Sequence, residues 1–181
     1  MADLVLTTGS WTIDPTHTVI GFSARHAMVA KVRGRFEVFS GGFVLDGADP
    51  SASSAQLSVE MASVDTKNAD RDAHLKSAEF FDVEQFPTMT FTSTSIEGTA
   101  PTFTVHGDLS VHGVTKNIPV RFELVGTSTD PWGGTRIGFE GQAEISRKDF
   151  GLTWNVALET GGVLVSDIIK IELDVEAVKD A

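Results

Sequence analysis

In the run IIKIELDVEA every second residue is apolar: Ile169, Ile171, Leu173, Val175 and Ala177 alternate with Lys170, Glu172, Asp174 and Glu176. Successive side chains of a strand point to opposite faces, so such a run reads as a strand with one dry face and one wet face. The pattern recurs along the chain. Ile137, Phe139, Ala143 and Ile145 alternate with Glu140, Gln142 and Glu144; Val120, Phe122 and Leu124 with Arg121 and Glu123; Leu57, Val59 and Met61 with Gln56, Ser58 and Glu60. In TMTFTSTS, residues 88–95, Met89 and Phe91 oppose a row of threonines. Turn signals at 46–53, 97–102 and 129–135 separate the runs. Eight strands are predicted, near residues 17–26, 33–46, 54–64, 88–96, 102–112, 117–128, 135–146 and 166–178. Within GRFEVFSGGFVLDG the apolar parity changes from even at Phe36 and Val38 to odd at Phe43 and Leu45, which predicts a bend or bulge near Gly41 and Gly42.

Only DTKNADRDAHLKSAEFFD, residues 65–82, departs from period two. Its acids come early and Lys76 late, it contains no Gly or Pro, and Asp65 or Thr66 is placed to cap, so it reads as a short helix. One short helix cannot cover eight apolar strand faces, which must therefore cover each other as a sandwich or a closed barrel. Closure removes the strand edges that invite aggregation, and the predicted fold is all-β, an eight-stranded antiparallel up-and-down barrel. Eight strands enclose a space just wide enough for side chains or one small ligand.

A chain of 181 residues with 41% hydrophobic content supports one well-buried core. The division expected is a lead-in over residues 1–10 and a single domain over 11–181. Fourteen basic residues against 25 acidic ones leave a net charge of −11, which repels nucleic acid and anionic membrane surfaces at long range. With no cysteine, disulfides, thiolate nucleophiles and cysteine-ligated metals are excluded. The chain holds no apolar run long enough to span a bilayer as a helix. The start, MADLVLTTGSW, has neither a basic n-region nor an apolar h-region, so the expected compartment is the cytoplasm.

Chemistry-bearing signatures are sparse. There is no G-x-S-x-G elbow, G-x-G-x-x-G fingerprint, P-loop or H-E-x-x-H, and tyrosine is absent. In TFTVHGDLSVHG, residues 102–113, His106, Asp108 and His112 share the wet parity. On a straight strand the two histidines lie roughly 20 Å apart, too far to share one ion. NADRDAHLKSAE, residues 68–79, has the acid spacing of a calcium loop, but Ala73 stands where the sharp turn needs glycine, and a solvated helix face is the expectation. His17 opens a strand, His26 ends it and His74 lies on the helix, each expected as a solvated group. Arg25, Lys31, Arg33 and Arg35 cluster around HAMVAK, at what would be a barrel rim; they can keep the rim soluble or hold an anionic headgroup.

Five stretches resemble, in order, the motifs of the YceI-like family: WTIDPTHTVIGFSARH, VRGRFEVFSGGF, VDTKNADRDAHLKSAEFFDVEQFPTMTFTS, HGDLSVHGVTKNIPV and SRKDFGL. The resemblance runs from about Trp11 to Val178. It implies an extended, lipocalin-like barrel with the helix near one end and a hydrophobic tunnel that takes a polyisoprenoid or related long-chain lipid. Members are binding proteins and not enzymes, and several are dimeric, so a homodimer is open to this chain. Many relatives carry an export signal that is not seen here. Position 18 is Thr where the motif usually reads Ser, which keeps the hydroxyl.

Combined with the strand parity, the resemblance makes Phe22, Phe36, Val59, Met61, Met89, Phe91, Phe103, Val105, Leu109, Phe122, Leu124, Phe139 and Ile171 the candidate tunnel wall. Phenylalanine without tyrosine suits a wall that meets hydrocarbon, because a buried phenol needs a hydrogen-bond partner. His17, Arg25, His26 and Arg33 are the candidates for contacting a polar head. The expected ligand is an isoprenoid quinone or a polyprenyl phosphate or diphosphate, with no catalytic residue, metal or cofactor beyond that lipid. Two alternatives stay open: an enzyme acting on a prenyl lipid with His17 or His26 as base, and a barrel filled by its own side chains that serves as an interaction module.

Overall fold

The computed structural model describes residues 4–181 and resolves the alternating runs into antiparallel strands. They are β1 (Gly9–Ile13), β2 (Val19–His26), β3 (Ala30–Phe36), β4 (Phe39–Leu45), β5 (Ser54–Glu60), β6 (Val64–Asp65), β7 (Thr88–Thr99), β8 (Thr102–Val111), β9 (Val114–Thr129), β10 (Thr135–Ser146) and β11 (Ile168–Lys179). Pairing joins six of the shorter pieces end to end. Along one edge of β11, Ile13 lies opposite Ala177 and Val19 opposite Asp174, so β1 and β2 form one interrupted stave. β3 and β4 form the next, paired with β2 and β1 respectively, and β6 and β5 the third, paired with β3 and β4. β7 to β11 follow in sequence order, and the pairing of β1 with β11 closes an eight-stave, up-and-down barrel. Closure leaves only the outer side of the third stave, at β6, without a ladder partner among the described residues, so the barrel exposes little free strand edge.

The predicted strand over 33–46 is split, and not where expected. The break falls at Glu37 and Val38, whose amides turn to the Ser63 hydroxyl at 3.1 and 3.0 Å. That gap changes which parity faces inward. Gly41 and Gly42 lie within regular β4 and serve close approach: a Cβ on either would meet the backbone of Gln56 or of Trp11. The predicted 54–64 strand is likewise interrupted by a 3-10 turn at Met61–Ser63. Strand β1 lies outside the predicted set, because five residues followed by Asp-Pro carry too little periodicity.

Helix α1 (Ala69–Lys76) is shorter than the predicted 65–82, and its cap is Asn68, whose side chain accepts from the Arg71 amide at 2.9 Å. Neither Asp65 nor Thr66 caps it. Asp65 accepts from Lys67, and Thr66 donates through amide and hydroxyl to Asp72 at 2.9 and 2.6 Å. Of the calcium-like spacing, Asn68 and Asp72 are thus engaged in starting the helix. Acids at Asp70 and Asp72 in the first turn and bases at His74 and Lys76 in the last complement the helix dipole.

α1 shares one barrel end with the β2–β3 hairpin and the long β10–β11 connection, and we call this the helix end. At the opposite end, Trp11 is 1% exposed, stacks on Phe43 with centroids 6.0 Å apart and donates its indole N–H to the Thr7 carbonyl at 3.0 Å. Fully buried apolar residues form three clusters: Trp11, Leu45, Ile137 and Ala177; Ile96, Phe103 and Val105; and a larger group reaching from Phe39 and Val59 to Phe150 and Leu152.

Candidate functional site

Between these clusters the interior is hollow. A cavity of about 560 Å³ runs inside the barrel, bordered at one end by Leu45, Ile96 and Phe139 and at the helix end by Leu75, Phe80 and Trp154. Inward-facing Phe22, Leu57, Met89, Phe91 and Phe122 are only half-buried, where a filled core would leave such residues inaccessible. The barrel is therefore not filled by its own side chains.

All of the candidate wall residues border the cavity except Val59 and Leu124. Both point inward, yet neither reaches the void. Val59 is 1% exposed within the larger cluster, and Leu124 packs on the two clusters that contain Trp11 and Phe103. Period two gives the face of a residue but not whether a neighbour covers it.

The polar candidates divide. Arg25 and His26, at the end of β2, border the cavity, whereas His17 and Arg33 do not. Arg33 is exposed on the outer face of β3. His17 sits between β1 and β2 in an outer charge network: its Nδ1 lies 2.9 Å from Asp14 Oδ2, and Arg136 reaches Asp14 at 2.9 Å, Asp130 at 3.0 Å and also Glu176. Asp14, then Glu176, raise the His17 pKa, while hydrogen bonds from Thr16, His17 and Arg136 hold Asp14 well below the usual carboxylate range. Asp14, His17 and Glu176 converge closely enough to hold an ion, but the Arg136 guanidinium already supplies positive charge to those carboxylates. Of the two histidines considered as bases, only His26 lies at the cavity.

Two arginines that the sequence did not single out complete the helix end. Arg71 of α1 and Arg147, in the 3-10 turn after β10, border the cavity together with Arg25 and His74. Lys31 pairs with Glu172 at 3.3 Å and Arg35 with Glu37 at 2.6 Å, whereas Arg25, Arg71 and Arg147 make no ion pair among the described residues. Arg71 donates to the hydroxyl and carbonyl of Thr66. Arg147, 3% exposed, donates to the carbonyls of Leu152, Trp154 and Ser166 at 2.7, 2.9 and 2.9 Å. Burial lowers its pKa, and the charge of Asp167 works the other way. Three arginine residues so placed bring positive charge to this end of an otherwise oily hollow.

The other histidines brace the shell. His74 meets Trp154 edge-on at 4.6 Å, and His106 faces Glu97 at 3.9 Å. His112 was expected on the wet face of a strand. It stands instead in the β8–β9 turn with φ 54°, its Nδ1 3.2 Å from the Phe150 carbonyl and its ring 4.8 Å from Phe86. No helix among the described residues is long and apolar enough to cross a membrane.

Comparison with known proteins follows the same lines. The model of the YceI-like domain matches residues 11–177. Protein YceI of Salmonella newport is 40% identical over 160 residues, covering 84% of this chain and 84% of that protein. Among solved structures, the Campylobacter jejuni YceI protein superposes with a TM-score of 0.73 at 31% identity, over 87% of this chain and 90% of that one. Burkholderia cenocepacia BcnA gives 0.77 at 21% identity, over 91% and 98%. A polyisoprenoid-binding domain from Saccharophagus degradans gives 0.71 at 18% identity, over 94% and 98%. At those identities the last two show likeness of fold alone.

Proposed function

Because this chain belongs to the YceI-like domain family, we propose that its barrel binds a long-chain isoprenoid lipid and carries or sequesters it without chemical change. The single observation that carries this reading is the cavity of about 560 Å³, walled by Phe, Leu, Ile, Val and Met and bordered at one end by three arginines that make no ion pair among the described residues. Such a hollow costs packing energy, which an apolar guest returns at about 0.8 kcal/mol per buried CH₂. The tail would lie along the barrel axis and the head at the helix end, against Arg25, Arg71 and Arg147. That placement favours a phosphate- or diphosphate-bearing isoprenoid over a quinone. The solved Saccharophagus degradans domain is described as polyisoprenoid-binding, which agrees with the same class of guest.

Native isolation followed by denaturing mass spectrometry of the bound fraction tests the proposal. A stoichiometric isoprenoid is the expected result. Recovery of no lipid, together with no binding of added prenyl phosphate, would overturn it.

A further inference from the structure

Three of the glycines that face the interior of the barrel each lie beneath a phenylalanine ring. Gly34 of β3 is directly opposite Phe22 of β2, and Gly141 of β10 directly opposite Phe122 of β9. Gly107 of β8 pairs with Ser93, and Phe91 reaches it diagonally from two residues along β7. A Cβ added to any of the three would fall within 3.0 Å of ring carbons of its phenylalanine, closer than carbon atoms approach. The three rings border the cavity, and the glycines beneath them do not.

Glycine inside a strand is destabilising relative to alanine, so each of these positions needs a reason. Backbone conformation does not supply one: the glycines with positive φ are Gly9, Gly98, Gly113, Gly133, Gly151, Gly161 and Gly162, and none of the three is among them. What excludes a side chain is the ring. With no Cβ below, each phenyl lies back along the wall instead of standing into the lumen. An added methyl at Gly107 would push the Phe91 ring inward by roughly 1.5 Å to regain an ordinary contact.

We propose that Gly34, Gly107 and Gly141 are specificity-determining residues, which set the bore so that it admits a chain bearing methyl branches as well as a straight one. The inference rests on the lipid-binding reading above. A methyl-branched isoprenoid tail is wider than a straight alkyl chain at each branch, so narrowing the bore penalises the branched chain first. Crowding of this kind is expected to weaken the wider ligand by roughly tenfold, equivalent to about 1.4 kcal/mol.

The test compares geranylgeranyl diphosphate with hexadecyl phosphate on wild-type protein, on Gly107→Ala and on the double variant Gly107→Ala with Phe91→Leu. Gly107→Ala is expected to weaken the branched ligand about tenfold more than the straight one, and the double variant to restore the wild-type ratio. If the single variant does not fold, folding of the double variant still assigns the clash to Phe91, and its affinity ratio reads the bore. Failure of both to fold, or an unchanged ratio in Gly107→Ala, overturns the inference while leaving lipid binding intact. Wild-type protein that binds neither probe removes the lipid reading and this inference with it.

Discussion

The Thr18 hydroxyl donates to the Glu176 carbonyl at 3.1 Å and accepts from the Glu176 amide at 3.0 Å. This one side chain stands in for a strand partner where the β1–β2 stave is interrupted by residues 14–18. Thr18 is 7% exposed, so water cannot readily replace it. Thr18→Val keeps the shape and leaves a buried amide without its acceptor, which should cost about 1–3 kcal/mol in urea unfolding. Thr18→Ser, retaining the hydroxyl, should cost much less. Equal losses in the two variants would show that the methyl and not the hydrogen bonds matters.

Beside that corner, the Asp14–His17 pair makes stability depend on pH. The His17 pKa is raised in the fold, first by Asp14 and then by Glu176, so its contribution is complete below the unfolded value of about 6.5 and fades as pH climbs through the folded one. Asp14 has the opposite sign. Its pKa is lowered, so its contribution is present above about 3.9 and is lost as pH falls through the folded value. The stability difference between wild type and His17→Asn, read from urea midpoints, should therefore be larger at acid than at alkaline pH. A difference that does not change with pH would exclude the pair as its source.

Arg147 ties the β10–β11 connection to the barrel through carbonyls at Leu152, Trp154, Val165 and Ser166. Arg147→Met keeps much of the apolar stem but strips those carbonyls of their donor, at a cost on the order of 3 kcal/mol. Limited proteolysis should then cut within residues 151–167 well before the barrel unfolds. Wild-type protease resistance there would mean that packing of Trp154 on His74 and Phe80 holds the loop without the arginine.

If the head of the guest lies at the helix end, Arg25→Gln should weaken a prenyl phosphate about tenfold while leaving the corresponding prenyl alcohol nearly unchanged. Isothermal titration with both ligands reads the contrast. Equal effects on the two would place the head elsewhere.

Filling the lumen should abolish binding without loss of the fold. Ala24 borders the cavity on β2, and Ala24→Trp places an indole in the path of the tail. Loss of prenyl phosphate binding with an unchanged far-ultraviolet spectrum is expected. Full affinity in this variant would put the ligand outside the barrel.

How much of this was open to reading from the sequence follows from how local each feature is. Alternation such as Ile169 to Ala177 specifies a strand, its dry face and, with a single short helix to cover it, closure of the sheet on itself. Most of the cavity wall follows from the same parity. The shielding of Val59 and Leu124, the break at Glu37, and the placing of Arg25, Arg71 and Arg147 on one cavity did not, because each depends on a neighbour distant in sequence. The bore is of that second kind. Phe122 and Gly141 say nothing of each other along the chain, and only the register of β9 against β10 sets the ring on the glycine and holds the lumen open. Side-chain period is a property of one strand, whereas the width of the space it encloses belongs to the pairing of two.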